Sequence, residues 1–205
     1  MIDMDIFSSA KLLKHLDRLH EWRQTGSARP ILIGLDLTNV CNHRCPGCNG
    51  APGLPENNNA SIPFARLETL VDEFAQLGVK AVSLGGGGDA SCHPRLPDAL
   101  RLLKSRGIET ALFTNGQLVR DDVAQAIVAC CTWTRFSLDA DGPEMFKATH
   151  GMDARDFEKV KANIARVVAL RREMGSSIVL GGSFLIGSHT VSGIYGVAQL
   201  ARDLG

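Results

Sequence analysis

The residues best suited to chemistry stand in one short stretch, Cys41-Asn42-His43-Arg44-Cys45-Pro46-Gly47-Cys48. Three thiolates so close in sequence can meet at one metal centre without long side-chain reach. Their number is informative. A structural zinc site takes four protein ligands, and a fully ligated four-iron cluster takes four cysteines. Three cysteines leave one iron of a cubane open to an outside ligand, which is what a catalytic centre needs. The alternative is a zinc-stabilised binding module, in which His43, Cys92 or His93 completes the set begun by Cys41, Cys45 and Cys48.

A second unusual stretch is Gly85-Gly86-Gly87-Gly88-Asp89, with Cys92-His93-Pro94 just after it. Glycines let a backbone approach a ligand closely and aim successive amides at it. The run lacks the Gly-Lys-Ser/Thr that would follow in a nucleoside-triphosphate loop. Two further polar groups, Thr114-Asn115-Gly116 and Ser137-Leu138-Asp139, each follow an apolar run.

The chain that must position these groups has 205 residues, 44% of them apolar, with 22 basic and 22 acidic side chains and six cysteines. That length suits one domain with a sizeable core. The charge balance argues against a broad electrostatic partner such as a nucleic-acid backbone or an anionic membrane. No apolar run approaches the roughly 18 residues of a membrane span, and the start is too acidic for a signal peptide, so a cytoplasmic location is expected. Clustered cysteines in such a chain read as metal or redox chemistry before disulfides.

Apolar periodicity predicts alternating strands and helices. An amphipathic helix is expected over 6–23, with Leu12, Leu13, Leu16 and Leu19 as a packing stripe. A strand follows at 31–38, then an irregular loop over 41–63 holding four prolines and Asn57-Asn58-Asn59. Phe64, Leu67, Leu70, Val71 and Phe74 stripe a helix ending at Gly78, before a strand at 81–84. Leu96, Leu100 and Leu103 mark a helix, 108–113 a strand, 119–129 a helix and 132–138 a strand. Phe157, Val160, Ile164 and Val167 stripe a long helix closing at Gly175. A strand at 178–186 and a helix at 192–204 complete the pattern. Such alternation implies right-handed crossovers and a parallel sheet, with the loops after the strands gathered at one face. Periodicity leaves open whether that sheet is doubly wound or curled towards a barrel.

With the motifs in this order, the chain resembles the radical S-adenosylmethionine (SAM) superfamily over residues 33–187. The Cys-x3-Cys-x2-Cys spacing, the run Gly85-Gly86-Gly87-Gly88-Asp89, Thr114-Asn115-Gly116, Ser137-Leu138-Asp139 and, loosely, Ser183-Phe184-Leu185-Ile186-Gly187 carry the resemblance. It implies an α/β partial TIM-type barrel. Five strands are visible where the family core usually has six. Residues 1–30 would be a helical extension and 31–205 the core, expected to be incomplete at its C-terminal end, leaving the strand at 178–186 as an edge. Cys41, Cys45 and Cys48 would hold a [4Fe-4S] cluster whose open iron binds SAM. Reductive cleavage of SAM would then give a 5′-deoxyadenosyl radical that takes hydrogen from the substrate. Gly86, Gly87 and Gly88 would line the methionine moiety, Ser137 and Asp139 its carboxylate or ribose, and Asp89 and Asn115 would belong to the same site. Gly47 stands where the family usually has an aromatic residue, so a backbone contact to adenine would replace stacking there. Asp89 and Ala90 replace the usual Glu and Pro, and Leu185 and Thr190 also depart from the family pattern. A flavodoxin- or ferredoxin-type protein would supply the electron. The substrate is expected to be a peptide or small molecule, since one tyrosine and two tryptophans suggest no stacking platform for nucleic-acid bases. Cys92, Cys130 and Cys131 are expected to be small core fillers and His150-Gly151 a turn.

Overall fold

The computed structural model describes residues 13–48 and 59–205. Helix α1 spans Leu16–Thr25 and strand β1 Leu32–Leu35; α2 (Phe64–Gln76) leads to β2 (Ala81–Leu84). After a single 3-10 turn at Ala90–Cys92 come α3 (Leu96–Ser105), β3 (Glu109–Thr114), α4 (Asp121–Cys130) and β4 (Trp133–Ser137). Two helices follow, α5 (Pro143–His150) and α6 (Asp156–Glu173), then β5 (Val179–Ser183) and, after a 3-10 turn at Val191–Gly193, α7 (Ile194–Leu204).

All five strands are parallel, and their order in the sheet is their order in the chain. A doubly wound sheet reverses direction at a switch point. This one never does, so right-handed crossovers put the helices on one face. The alternation left open by periodicity is thereby resolved towards a partial barrel. Val82, Leu84, Leu112 and Phe136 point into the helix layer and are buried among Leu67, Leu100, Ile127, Val160 and their neighbours. The register pairs Ala81 with Glu109 and Phe113 with Arg135, and these residues stand on the opposite, concave face. Helices α2, α3, α4, α6 and α7 pack each on the next around the outside.

Several expectations change. Residues 6–12 and 49–58, including Leu12, Asn57 and Asn58, lie outside the described residues. The apolar stripe is not buried: Leu13, just before α1, and Leu16, its first residue, are exposed, and Arg18 is the buried residue, donating to the Gly78 carbonyl at 3.0 Å. A cation on the carbonyls that close α2 holds this helix, in place of an apolar face. The 31–38 run leaves the sheet at Leu35, and Thr38 instead bridges Ser61 in antiparallel fashion. The 178–186 run ends at Ser183 because β4 ends at Ser137; the Leu138 and Asp139 amides both turn onto the Ser183 carbonyl. Among the described residues strand β5 has β4 as its one sheet neighbour; a Cβ at Gly181 or Gly182 would meet open space, and α7 packs on α6. Helix α5 was not foreseen. Eight residues with two buried anchors, Phe146 and His150, are too short for a visible stripe.

Replacing the fully buried Leu112 by Ala should cost about 2–5 kcal/mol, whereas Val179→Ala on the open face should cost less than about 1 kcal/mol. Urea midpoints with unchanged slopes would check this, and equal losses would contradict the one-sided core.

Candidate functional site

The loop from Asp36 to Cys48 leaves the C-terminal end of β1 and is seated on the glycine run after β2. A Cβ at Gly86 would overlap the Asp36 carboxylate, one at Gly87 would press on Asn39 Oδ1, and one at Gly88 would overlap the Val40 carbonyl. The Gly87 amide donates to Asp36 Oδ2 at 2.9 Å and the Asp89 amide to the Val40 carbonyl at 3.0 Å. These glycines therefore have a packing reason in the protein itself: they let the cysteine loop lie directly on the neighbouring loop. At the far end, the Arg44 amide donates to the His150 carbonyl at 3.1 Å, and Gly151 closes α5 at φ 62° in space that a side chain would share with Arg44. His150-Gly151 is thus a helix terminus that clamps the loop.

Cys41 and Cys45 are half-buried, Cys48 is exposed, and none of the three is in a disulfide. Burial is the main cause that raises Cys41 and pushes Cys45 up to about 12, and the charges of the neighbouring cysteines add to it. The His43 amide donates to Cys41 Sγ at 3.5 Å, and the Cys48 amide bonds back to the Cys45 carbonyl at 3.1 Å.

Beneath the loop lies a buried relay of polar side chains. The Gln117 amide donates to Asn115 Oδ1 (3.0 Å); Asn115 Nδ2 donates to Asn42 Oδ1 (2.9 Å); Asn42 Nδ2 donates to Gln117 Oε1 (2.6 Å). The same Gln117 oxygen meets His43 Nε2 at 2.6 Å, and His150 Nε2 meets the Leu138 carbonyl at 2.9 Å. His43 and His150 are each 1% exposed, with Phe146 stacked on His150 and edge-on to His43. Desolvation first, and then the neighbouring imidazole, depresses His43 to about 4, and burial depresses His150 as well.

The other expected site residues are placed as follows. Asp89 is buried and turned inward: its carboxylate accepts from the Ser91 and Asn115 amides at 2.8 and 2.6 Å and from the Thr114 hydroxyl at 2.9 Å, tying the β2 loop to the end of β3. Asn115 is committed to the relay. Ser137 is half-buried opposite Ser183, and Asp139, at φ 44°, accepts the Leu185 amide at 2.7 Å. A Cβ at Gly47 would come within 3.6 Å of the Leu185 side chain, so the third cysteine's neighbour faces the segment after β5. His93 uses both ring nitrogens internally, on the Arg95 amide and the Ile62 carbonyl. Cys92 is half-buried, pushed up to about 11 by burial, and donates weakly to Asn42. Cys131 is in the core, with Cys130 at its margin. Sequence reasoning missed Gln117, the pairing of His43 with His150, and a group on the concave face. There Trp133 meets Phe113 edge-on at 5.0 Å, and the Arg135 guanidinium lies 4.3 Å over the Phe113 ring. Strict alternation along β3 and β4 was the available signal for that last group.

The family described as the Radical SAM superfamily matches residues 35–184, taking in the whole loop, the relay and the strand ends. The chain belongs to the radical SAM superfamily. GTP 3′,8-cyclase of Synechococcus elongatus is 33% identical over 142 residues, 68% of this chain and 42% of that protein. The tungsten-containing aldehyde ferredoxin oxidoreductase cofactor-modifying protein of Pyrococcus furiosus is 27% identical over 146 residues, 69% of this chain and 39% of that one. The chain thus spans about two fifths of the length of these curated relatives. In fold it is similar to Streptococcus suis SuiB bound to its precursor peptide SuiA, with TM-score 0.70 at 14% identity over 98% of this chain and 43% of that one. It is likewise similar to anSMEcpe with bound AdoMet, with TM-score 0.65 at 17% identity over 84% of this chain and 48% of that one. The likeness to these neighbours is one of fold and extends over the partial barrel described above.

Histidines held below their ordinary value of 6.5 favour the folded state while neutral, and the unfolded chain takes up protons first as pH falls. Their stabilisation is full above about 6.5 and is lost progressively below it, towards the His43 value of about 4. In cluster-free protein, stability should fall between pH 7 and pH 5 with a slope approaching about 1.4 kcal/mol per pH unit for each histidine. The slope should flatten in His43→Leu; a wild-type urea midpoint independent of pH in that window would contradict the neutral pair.

Proposed function

We propose that this chain carries the SAM-cleaving core of an enzyme that abstracts hydrogen from a peptide or small molecule. The observation that carries this reading is the set of three thiols of Cys41, Cys45 and Cys48 at the C-terminal ends of the strands, on a loop locked to the β2 loop, the end of β3 and α5. The donor set fits a [4Fe-4S] cluster with one open iron: His93 is spent elsewhere, and the Cys92 thiol is turned to Asn42, so neither completes a fourth ligand. When bound, such a cluster supplies the electron that cleaves SAM reductively to methionine and a 5′-deoxyadenosyl radical.

The chain's own groups would do the positioning. The His43 amide, aimed at Cys41 Sγ, stabilises a ligating thiolate. The glycine run at 86–88 presents main chain at the same rim, next to Asp89 and Asn115, which hold that rim in place. Ser137 and Asp139 offer a hydroxyl and a carboxylate at the end of β4, and Gly47 with Leu185 forms a small apolar notch for a flat base. The concave floor of Phe113, Trp133 and Arg135 would face the substrate, whose reactive group is held by the barrel and kept from water. Residues 31–205 form this core, 1–30 an extension, and a flavodoxin- or ferredoxin-type protein is the electron donor.

Anaerobically reconstituted protein should contain four irons per chain and show a broad visible absorbance. With dithionite and SAM it should release 5′-deoxyadenosine. Replacing Cys41, Cys45 and Cys48 together by Ala should abolish iron, absorbance and product. Protein that a chelator has stripped of zinc and that still takes up no iron under these conditions would overturn the reading.

A further inference from the structure

The relay beneath the loop determines where its hydrogens are. A backbone amide is always a donor, so the bond from Gln117 N makes Asn115 Oδ1 the acceptor and Asn115 Nδ2 the donor to Asn42. Asn42 is then oriented with its oxygen towards Asn115 and its Nδ2 towards Gln117, which presents Oε1. That oxygen accepts, so His43 Nε2 must carry the hydrogen. By the same logic His150 Nε2 carries the hydrogen donated to the Leu138 carbonyl. Each neutral ring then has a bare lone pair on Nδ1, and the two Nδ1 atoms face each other at 3.0 Å. The Cys45 sulfur stands 3.6 Å from His150 Nδ1, and all three atoms lie within 4.8 Å of one another. Two lone pairs face to face in a buried site repel unless something electropositive lies between or beside them.

The spacing identifies what fits. Zinc binds histidine nitrogen at about 2.0–2.1 Å and cysteine sulfur at about 2.3 Å, so a tetrahedral ion sets its nitrogens about 3.3 Å apart and sulfur about 3.6 Å from nitrogen. The outer nitrogen of each ring is already held by an oxygen acceptor, the arrangement that orients metal-bound histidine. We propose that Cys45 Sγ, His43 Nδ1 and His150 Nδ1 form a site for one zinc-type divalent cation in the cluster-free protein, and that its occupation excludes the iron–sulfur cluster because Cys45 serves both. On binding, the Cys45 thiol gives up its proton to solvent, and a water completes the coordination. The site stands independently of the proposed function; only the exclusion rests on it.

The test begins with the full-length chain, iron-free and reduced, given one equivalent of Zn2+ and examined by X-ray absorption, with Co2+ as the optical probe. The expected shell has one sulfur and two imidazole nitrogens. Zn2+ affinity should fall at least roughly tenfold in His150→Ala but stay unchanged in Cys48→Ala. Three sulfurs in the shell, no binding at one equivalent, or equal losses in both variants would overturn the site. If His150→Ala does not fold, the sulfur and nitrogen count in the wild type decides alone. Exclusion is read separately: zinc-loaded protein should refuse iron until a chelator removes the zinc. A protein that holds both metals keeps the site but refutes exclusion. One that takes up no iron even without zinc sinks the cluster reading and leaves the zinc site standing.

Discussion

The candidate site depends on one buried chain of hydrogen bonds, running from the Gln117 main-chain amide through Asn115 and Asn42 to the Gln117 side chain and on to His43. Its members come from the loop after β1 and from the end of β3, and His150 adds the end of α5. Polar groups in such a place are costly unless every one is matched, and matched they admit one arrangement. The relay therefore specifies how the cysteine loop sits, as an apolar contact of the same area would not. It also explains why two histidines can be almost wholly buried beside three thiols.

The second constraint is the direction of winding. Because the strands follow one another without a reversal, the sheet has one face filled by helices and one left open. Every loop that follows a strand then emerges at the same rim. The glycines at 86–88 allow two of those loops to touch, and the Asp89 carboxylate ties the second to the third. The rim is thus built by contacts between loops, each anchored in turn to the sheet. On the open face, Phe113, Trp133 and Arg135 form one cluster of aromatic and cationic side chains.

The chain is similar in sequence to GTP 3′,8-cyclase and in fold to SuiB bound to its precursor peptide.

Much of this was legible in the sequence. The three-cysteine spacing, the glycine run and the alternation of strands and helices are local patterns, written in consecutive residues, and they carried the family and the fold class. Strand and helix centres were found because burial of one face imposes a period of two or 3.6 on the chain. The ends of elements were less legible. Strand β5 stops where its partner stops, α1 is held by Arg18 on a carbonyl 60 positions away, and α5 is too short to show a stripe. The sequence alone determined where the candidate residues for chemistry cluster and in what order the strands and helices come. Only the tertiary structure decided that the sheet winds one way, that Asp89 and Asn115 are turned inward to bind their own chain, and that His43 meets His150 across 107 positions. Those outcomes depend on hydrogen bonds between distant residues, whose partners are chosen by the packing of the whole fold and leave no periodic trace in either segment.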